Sequence, residues 1–121
     1  MLELKNWLDK LMEYKIPKKV IALNFNLYEC ASNYWLIELI GSNVFDEYDE
    51  DWACNEVYNT REKKYGTFKF KNNKNWEDTL NIVIDVLEQY LAEGKYANKL
   101  KSFDAVGVGF VDGDIHLVHK K

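Results

Sequence analysis

Five carboxylates fall within six positions, at Asp46, Glu47, Asp49, Glu50 and Asp51, with Phe45, Tyr48 and Trp52 around and among them. Oxygen ligands at this density suit a hard cation, and the twelve-residue calcium loop is the pattern to test first. A loop starting at Asp46 would place Asp51 where a glycine is needed and Val57 where the closing glutamate belongs. Starting at Asp49 places Cys54 and Thr60 there instead. Both registers fail, so no metal ligands are assigned. His116 and His119 stand three apart, which on a strand predicts opposite faces and no shared ion. Cys30 and Cys54 form no C-x-x-C pair and lack the local surroundings of a nucleophile, which points to buried, reduced thiols. There is no glycine-rich phosphate loop and no G-x-S-x-G. The residues therefore predict no catalytic group, no cofactor and no enzyme.

Charge is distributed unevenly. From Val20 to Thr60 there is no Lys or Arg, and eight acids give the stretch a formal charge of -8 within a chain of net -4. The sign then reverses: between Arg61 and Lys74, six basic residues stand against Glu62 alone. Lysines interleaved with aromatics, as in Lys63-Lys64-Tyr65-Gly66-Thr67-Phe68-Lys69-Phe70-Lys71, can contact phosphates and stack bases. The same alternation describes an edge strand guarded by lysines, with Phe68 and Phe70 turned to the core. The guarded edge is the favoured reading, because the acidic half would repel a phosphate backbone.

These side chains must be positioned by a chain of 121 residues, which predicts one domain over 1–121. Leu4, Trp7, Leu8, Leu11 and Met12 recur at helical spacing, and Pro17 is expected to end that helix. Val20 to Tyr28 and Tyr34 to Ile40 read as two strands joined by a tight connection, an antiparallel hairpin. Phe45, Tyr48 and Trp52 would share one face of a short helix within the acidic loop, its acids facing water. A strand over Cys54 to Thr60 and another over Thr67 to Lys71 follow. Asn75 then caps a long helix from Trp76 to about Glu93, with an apolar stripe that begins at Trp76, and Gly94 stops it. Asp112-Gly113 predicts a two-residue hairpin turn that places Val106, Val108, Phe110, Ile115 and Leu117 on one face. Gly107 and Gly109 leave room on the other for a close neighbour. The sum is an α+β fold, an antiparallel or mixed sheet of four to six strands with two main helices packed on one face. No leader and no apolar run long enough for a membrane are expected, which suggests a cytoplasmic protein.

Tyr34-Trp35-Leu36-Ile37-Glu38-Leu39-Ile40-Gly41, leading into Phe45-Asp46-Glu47-Tyr48-Asp49-Glu50-Asp51-Trp52, resembles the small immunity proteins of bacterial polymorphic-toxin and contact-dependent growth inhibition systems. The likeness lies in general architecture and in the stretch from Tyr34 to about Glu62, without a fixed motif. It implies a cytosolic antitoxin that binds a cognate toxin domain, often a nuclease, and blocks it. In that setting Asp46, Glu47, Asp49, Glu50 and Asp51 would meet a basic surface of the toxin, with Tyr48 and Trp52 as contact anchors. A nucleic-acid-binding module built on residues 61–74 and a structural adaptor are the other readings.

Overall fold

The computed structural model describes all 121 residues. Helix α1 (Leu2–Leu11) buries Leu4, Trp7, Leu8 and Leu11, the stripe its spacing predicts, and Met12 just beyond it is also buried. It ends well before Pro17. Lys99 Nζ takes the freed carbonyls of Met12 and Tyr14 at 2.5 and 3.0 Å, a cation at a helix C-terminus where the dipole favours it.

Strands β1 (Ala22–Glu29) and β2 (Tyr34–Ser42) pair antiparallel, from Ala22 opposite Ser42 to Glu29 opposite Trp35. Ser32 and Asn33 make the turn with φ of 61° and 65°, the left-handed pair that a tight hairpin requires. Strands β3 (Glu56–Asn59) and β4 (Thr67–Lys71) lie along the same edge of β2, β3 beside Ile40 to Ser42 and β4 beside Tyr34 to Glu38. Thr60 divides them. Its fully buried hydroxyl donates to the carbonyl of Gly66 at 2.7 Å and accepts from the Leu39 amide at 3.2 Å. A Cβ on Gly66 would stand 1.5 Å from the Thr60 carbonyl oxygen, so only glycine fits there. In β4, Phe68 and Phe70 pack on the core while Lys69 and Lys71 stay exposed, as an edge strand guarded by lysines should.

Helix α2 (Trp76–Glu93) starts at Asn75, whose side chain accepts from the Asp78 amide at 2.8 Å. Thr79, Val83, Val86, Leu87, Tyr90 and Leu91 are its buried side chains. Trp76 does not join them. It is 54% exposed at the first turn, and Thr79 takes the buried place instead, held by Asn72 and the Asn75 carbonyl. A polar residue can be fully buried there because each of its hydroxyl bonds is made. The short helix α3 (Ala97–Lys101) leads into β5 (Ala105–Phe110), which lies parallel to β1, and β6 (His116–Lys120) closes the sheet antiparallel to β5.

The result is an α+β fold with a six-stranded mixed sheet, β3 and β4 sharing one edge and β6 forming the other. The main core lies between α1, α2 and one sheet face, with Leu23, Phe25, Leu27, Ile37, Leu39, Val106 and Val108 supplied by the sheet. No helix is long and apolar enough to cross a membrane.

The last hairpin departs from the expected register. Val106 faces His119, but a bulge then sets Gly107 opposite Leu117 and Val108 opposite His116. No glycine has a positive φ, so Asp112-Gly113 is not the two-residue turn. Gly113 instead bonds back to Phe110 at 2.9 Å, and β6 begins only at His116. The glycines of β5 explain the shift. A Cβ on Gly109 would lie 2.4 Å from the Asp114 carbonyl, and one on Gly107 2.6 Å from Ile115 Cγ2 and Asn24 Oδ1. The returning chain settles into that space, and the bulge absorbs the extra residue. Ile115 and Leu117 therefore leave the helix side and join Trp52 on the other face. Both histidines end up on the helix side, opposite Val108 and Val106, with separate partners: His116 near Glu88 at 3.9 Å, and His119 at the Phe103 carbonyl at 3.1 Å.

Candidate functional site

One sheet face has no α-helix over it. Along β1 and β2 that face presents Asn24, Asn26, Tyr28 and Glu38, the positions between the core residues of each strand. Glu38 is 3% exposed and keeps its charge through a dense set of partners. Arg61 donates to it twice, from Nε at 2.9 Å and Nη2 at 2.8 Å, and Tyr28 donates at 2.7 Å. Burial alone would raise the carboxyl pKa, but the Arg61 and Tyr28 hydrogen bonds outweigh it and hold the group below its ordinary value. The Tyr28 hydroxyl is pushed up, by burial first and then by Glu38. Arg61 reaches onward to both oxygens of Glu56 at 3.0 and 2.9 Å, so its charge is fully engaged within the chain.

The acidic segment arches over one end of this face. It leaves β2 at Ser42, turns into a short 3-10 helix (Glu50–Cys54) and returns as β3. Asn43 and Asn55 bond to each other across its base. Four of the five carboxylates hold the arch in place. Asp46 and Asp49 each accept the backbone amide two residues on, at 2.9 and 3.1 Å, turns that compete with a regular helix. Glu50 accepts from the Ile115 amide at 2.9 Å, and Glu47 pairs with Lys120 at 2.6 Å. That hydrogen bond lowers the Glu47 carboxyl and raises the Lys120 ammonium. Asp51 makes no side-chain bond, and all five acids remain exposed.

The three aromatics do not share a face. The local turns at Asp46 and Asp49 break the helical phase that their spacing implies. Phe45 and Trp52 meet edge to face at 5.3 Å and 77°. Trp52 is 4% exposed and, with Ala22 and Ala105, forms a second small core under Phe45, Ile115 and Leu117. It is the pin of the arch, not a contact anchor. Tyr48 is the opposite case: it is 91% exposed at the crest.

Between arch and sheet lies a cleft of about 530 Å³, with Asn24 and Asn26 on the floor, Glu50, Asp51, Cys54 and Glu56 on one side, and Val111, Asp112 and Gly113 on the other. Cys54 is exposed there and Cys30 half-buried, so neither thiol is the buried structural residue that the sequence suggests. Asn24 is 3% exposed; its Nδ2 donates to Asn26 at 2.6 Å while its Oδ1 has no partner. A second, shallow cleft of about 240 Å³ lies on the arch itself, bordered by Asp46, Asp49 and Asp51. A third, of about 810 Å³, opens on the helix side of the 110–115 turn, with Glu29, Asp112 and Asp114 at its rim. No Lys or Arg lines any of the three. No three His, Cys, Asp or Glu side chains come together as a metal-holding group.

No family model, curated protein or solved structure matches the chain.

The lysines that follow Arg61 line none of these clefts, and most are occupied with tyrosine rings. Lys63 sits over the rings of Tyr14 and Tyr58, Lys10 and Lys64 over Tyr65, and Lys69 and Lys71 over Tyr34, all within 6 Å of the ring centre. Each such lysine covers ring surface that a stacked base would need. The sequence locates the acids of the arch but misses those that complete the band. Glu29, Asp112 and Asp114 are scattered in the chain, and only the parallel pairing of β1 with β5 brings them together. The sole sequence signal is that all three border turns.

Proposed function

We propose that this chain is a protein-binding domain of the immunity type, one that docks its acidic arch and the adjoining uncovered sheet face onto a basic surface of a toxin domain. The observation that carries the reading is the set of adjoining clefts edged by carboxylates from three separate segments and lined by no Lys or Arg. An excess of charge of one sign raises the encounter rate with a surface of the other sign, and a site that handles a polyanion, such as that of a nuclease, is such a surface. Tyr48 at the crest supplies an exposed aromatic of the kind that anchors interfaces. The arch is also held at four points, so little ordering accompanies binding. The reading places the protein in the cytoplasm and assigns it no catalytic step and no cofactor.

The test is co-purification with the product of the adjacent upstream gene, followed by neutralisation of that product's toxicity. Replacing Asp46, Asp49 and Asp51 by asparagine keeps the Oδ1 acceptors that the turns use and removes three charges. Association at low salt should fall by about tenfold or more, and its salt dependence should flatten. Association unchanged in rate and salt dependence, with a partner shown to bind, would remove the arch from the interface.

A further inference from the structure

Three of the four tryptophans are buried, and Trp76 is the one left out, 54% exposed at the start of α2. Its ring stands perpendicular to that of Phe110, at 6.1 Å and 87°, and with Leu80 and Ile84 it forms an apolar floor. The rim above that floor is acidic: Glu29, Asp112 and Asp114, none of which forms an ion pair within the chain. Elsewhere the chain places lysines over its tyrosines, at Tyr14, Tyr34, Tyr58, Tyr65 and Tyr96. No lysine lies over Trp76, although indole is the strongest cation acceptor among the aromatic rings.

We propose that this cleft receives a lysine or arginine side chain from a basic segment of the partner protein, an inference that rests on the protein-binding reading above. The chemistry is specific in both layers. A long basic side chain lays its methylenes on an apolar floor and keeps its charge at the edge, which is the arrangement this cleft offers. A purely apolar occupant would bring the rim carboxylates out of water without a partner, and an anionic one would be repelled. Continuity supports the same occupant. Phe110, Asp112, Gly113 and Ile115 line both this cleft and the one beneath the arch, so the 110–115 turn is a shared wall and the acidic band runs around it. A basic segment lying over the arch reaches Trp76 by passing that turn.

The test uses the intact protein and an acetylated tetra-arginine amide, followed by NMR at the four indole N–H signals, with Trp76→Phe to assign the relevant one. The expected result is a saturable shift of the Trp76 signal alone, weakened at least fivefold in Asp112→Asn/Asp114→Asn and by citrulline in place of arginine. An equal response to the citrulline peptide would overturn the proposal, as would no response at millimolar peptide. A Trp76 shift that grows with protein concentration alone would assign the cleft to a second copy of the chain and overturn it as well. The peptide experiment needs no toxin, so a Trp76 response without neutralisation leaves only the immunity reading refuted. A verified partner that binds Trp76→Ala and Asp112→Asn/Asp114→Asn as tightly as the unaltered chain refutes only the assignment of this cleft.

Discussion

Removing the Arg61 guanidinium should expose how the uncovered sheet face tolerates a buried acid. Glu38 has a side chain only 4% exposed, and in Arg61→Ala it would keep one hydrogen bond, from Tyr28, after losing two from Arg61. Stripping one partner from a fully buried ion pair costs about 3–5 kcal/mol. Arg61 is 43% exposed, so water screens its side of the pair and the expected loss falls to about 2–3 kcal/mol at pH 7. The pH dependence is the sharper signature. In the unaltered protein the Glu38 carboxyl is held below its ordinary value. Its contribution is therefore present above the unfolded carboxyl pKa, about 4.3, and is lost as pH falls through the lower folded value. Without Arg61, burial dominates and the folded pKa rises above the unfolded one. The variant then gains from protonation, and its deficit relative to the unaltered protein should shrink as pH drops from 7 to 5. Urea unfolding at the two pH values, read by tryptophan fluorescence, measures the gap. Adding Glu38→Gln to Arg61→Ala should recover about 1 kcal/mol or more at pH 7, because the stranded charge is gone. A deficit under about 0.5 kcal/mol, or one that stays constant across this range, would refute the view that Glu38 is a buried charge dependent on Arg61.

Trp52→Ala should cost about 3–5 kcal/mol in urea unfolding, since it empties the second core, whereas Tyr48→Ala at the crest should change stability by less than about 0.5 kcal/mol; equal effects would contradict the pin and crest assignment. Thr60→Val leaves the Leu39 amide without its hydroxyl acceptor in a buried setting and should lower stability by about 1–3 kcal/mol by the same measurement. Gly107→Ala places a Cβ against Asn24 and Ile115 and should cost about 1–3 kcal/mol, with faster amide exchange along β6; a neutral result would mean that the returning strand is not seated on β5.

Much of this fold is legible from side-chain period alone. Leu4, Trp7, Leu8 and Leu11 on α1, the Phe68 and Phe70 alternation in β4, and the Asn75 cap depend on neighbours a few residues away, and each appears where its spacing places it. The misreadings arise where a distant segment decides. Ile115 and Leu117 alternate as if they belonged with Val106, yet the space over Gly107 and Gly109 and the indole of Trp52 draw them to the other face. Trp76 has the right phase for the helix stripe but lies at its first turn, where it is left half exposed with Phe110 perpendicular beside it. The acidic arch shows both effects together. Its charge is plain in the sequence, while the use of Glu47 and Glu50 as tethers depends on Lys120 and Ile115, far down the chain.

The tethers of the arch also set when the surface can exist. Lys120 belongs to β6, while β5 must slot between β1 and β6 before Ile115 can reach Glu50. A ribosome-bound chain that has been emitted only as far as α3 has the acidic segment but neither of these tethers, and the outer edge of β1 is still unpaired. Chains are made from the N-terminus onward, and incomplete ones cannot form contacts that their ends supply. The anchored, negatively charged face is thus available only once β5 and β6 have been made and paired. A partner that recognises the anchored arch rather than its charge alone would pass over copies in which β5 and β6 have not yet formed, with no separate quality check.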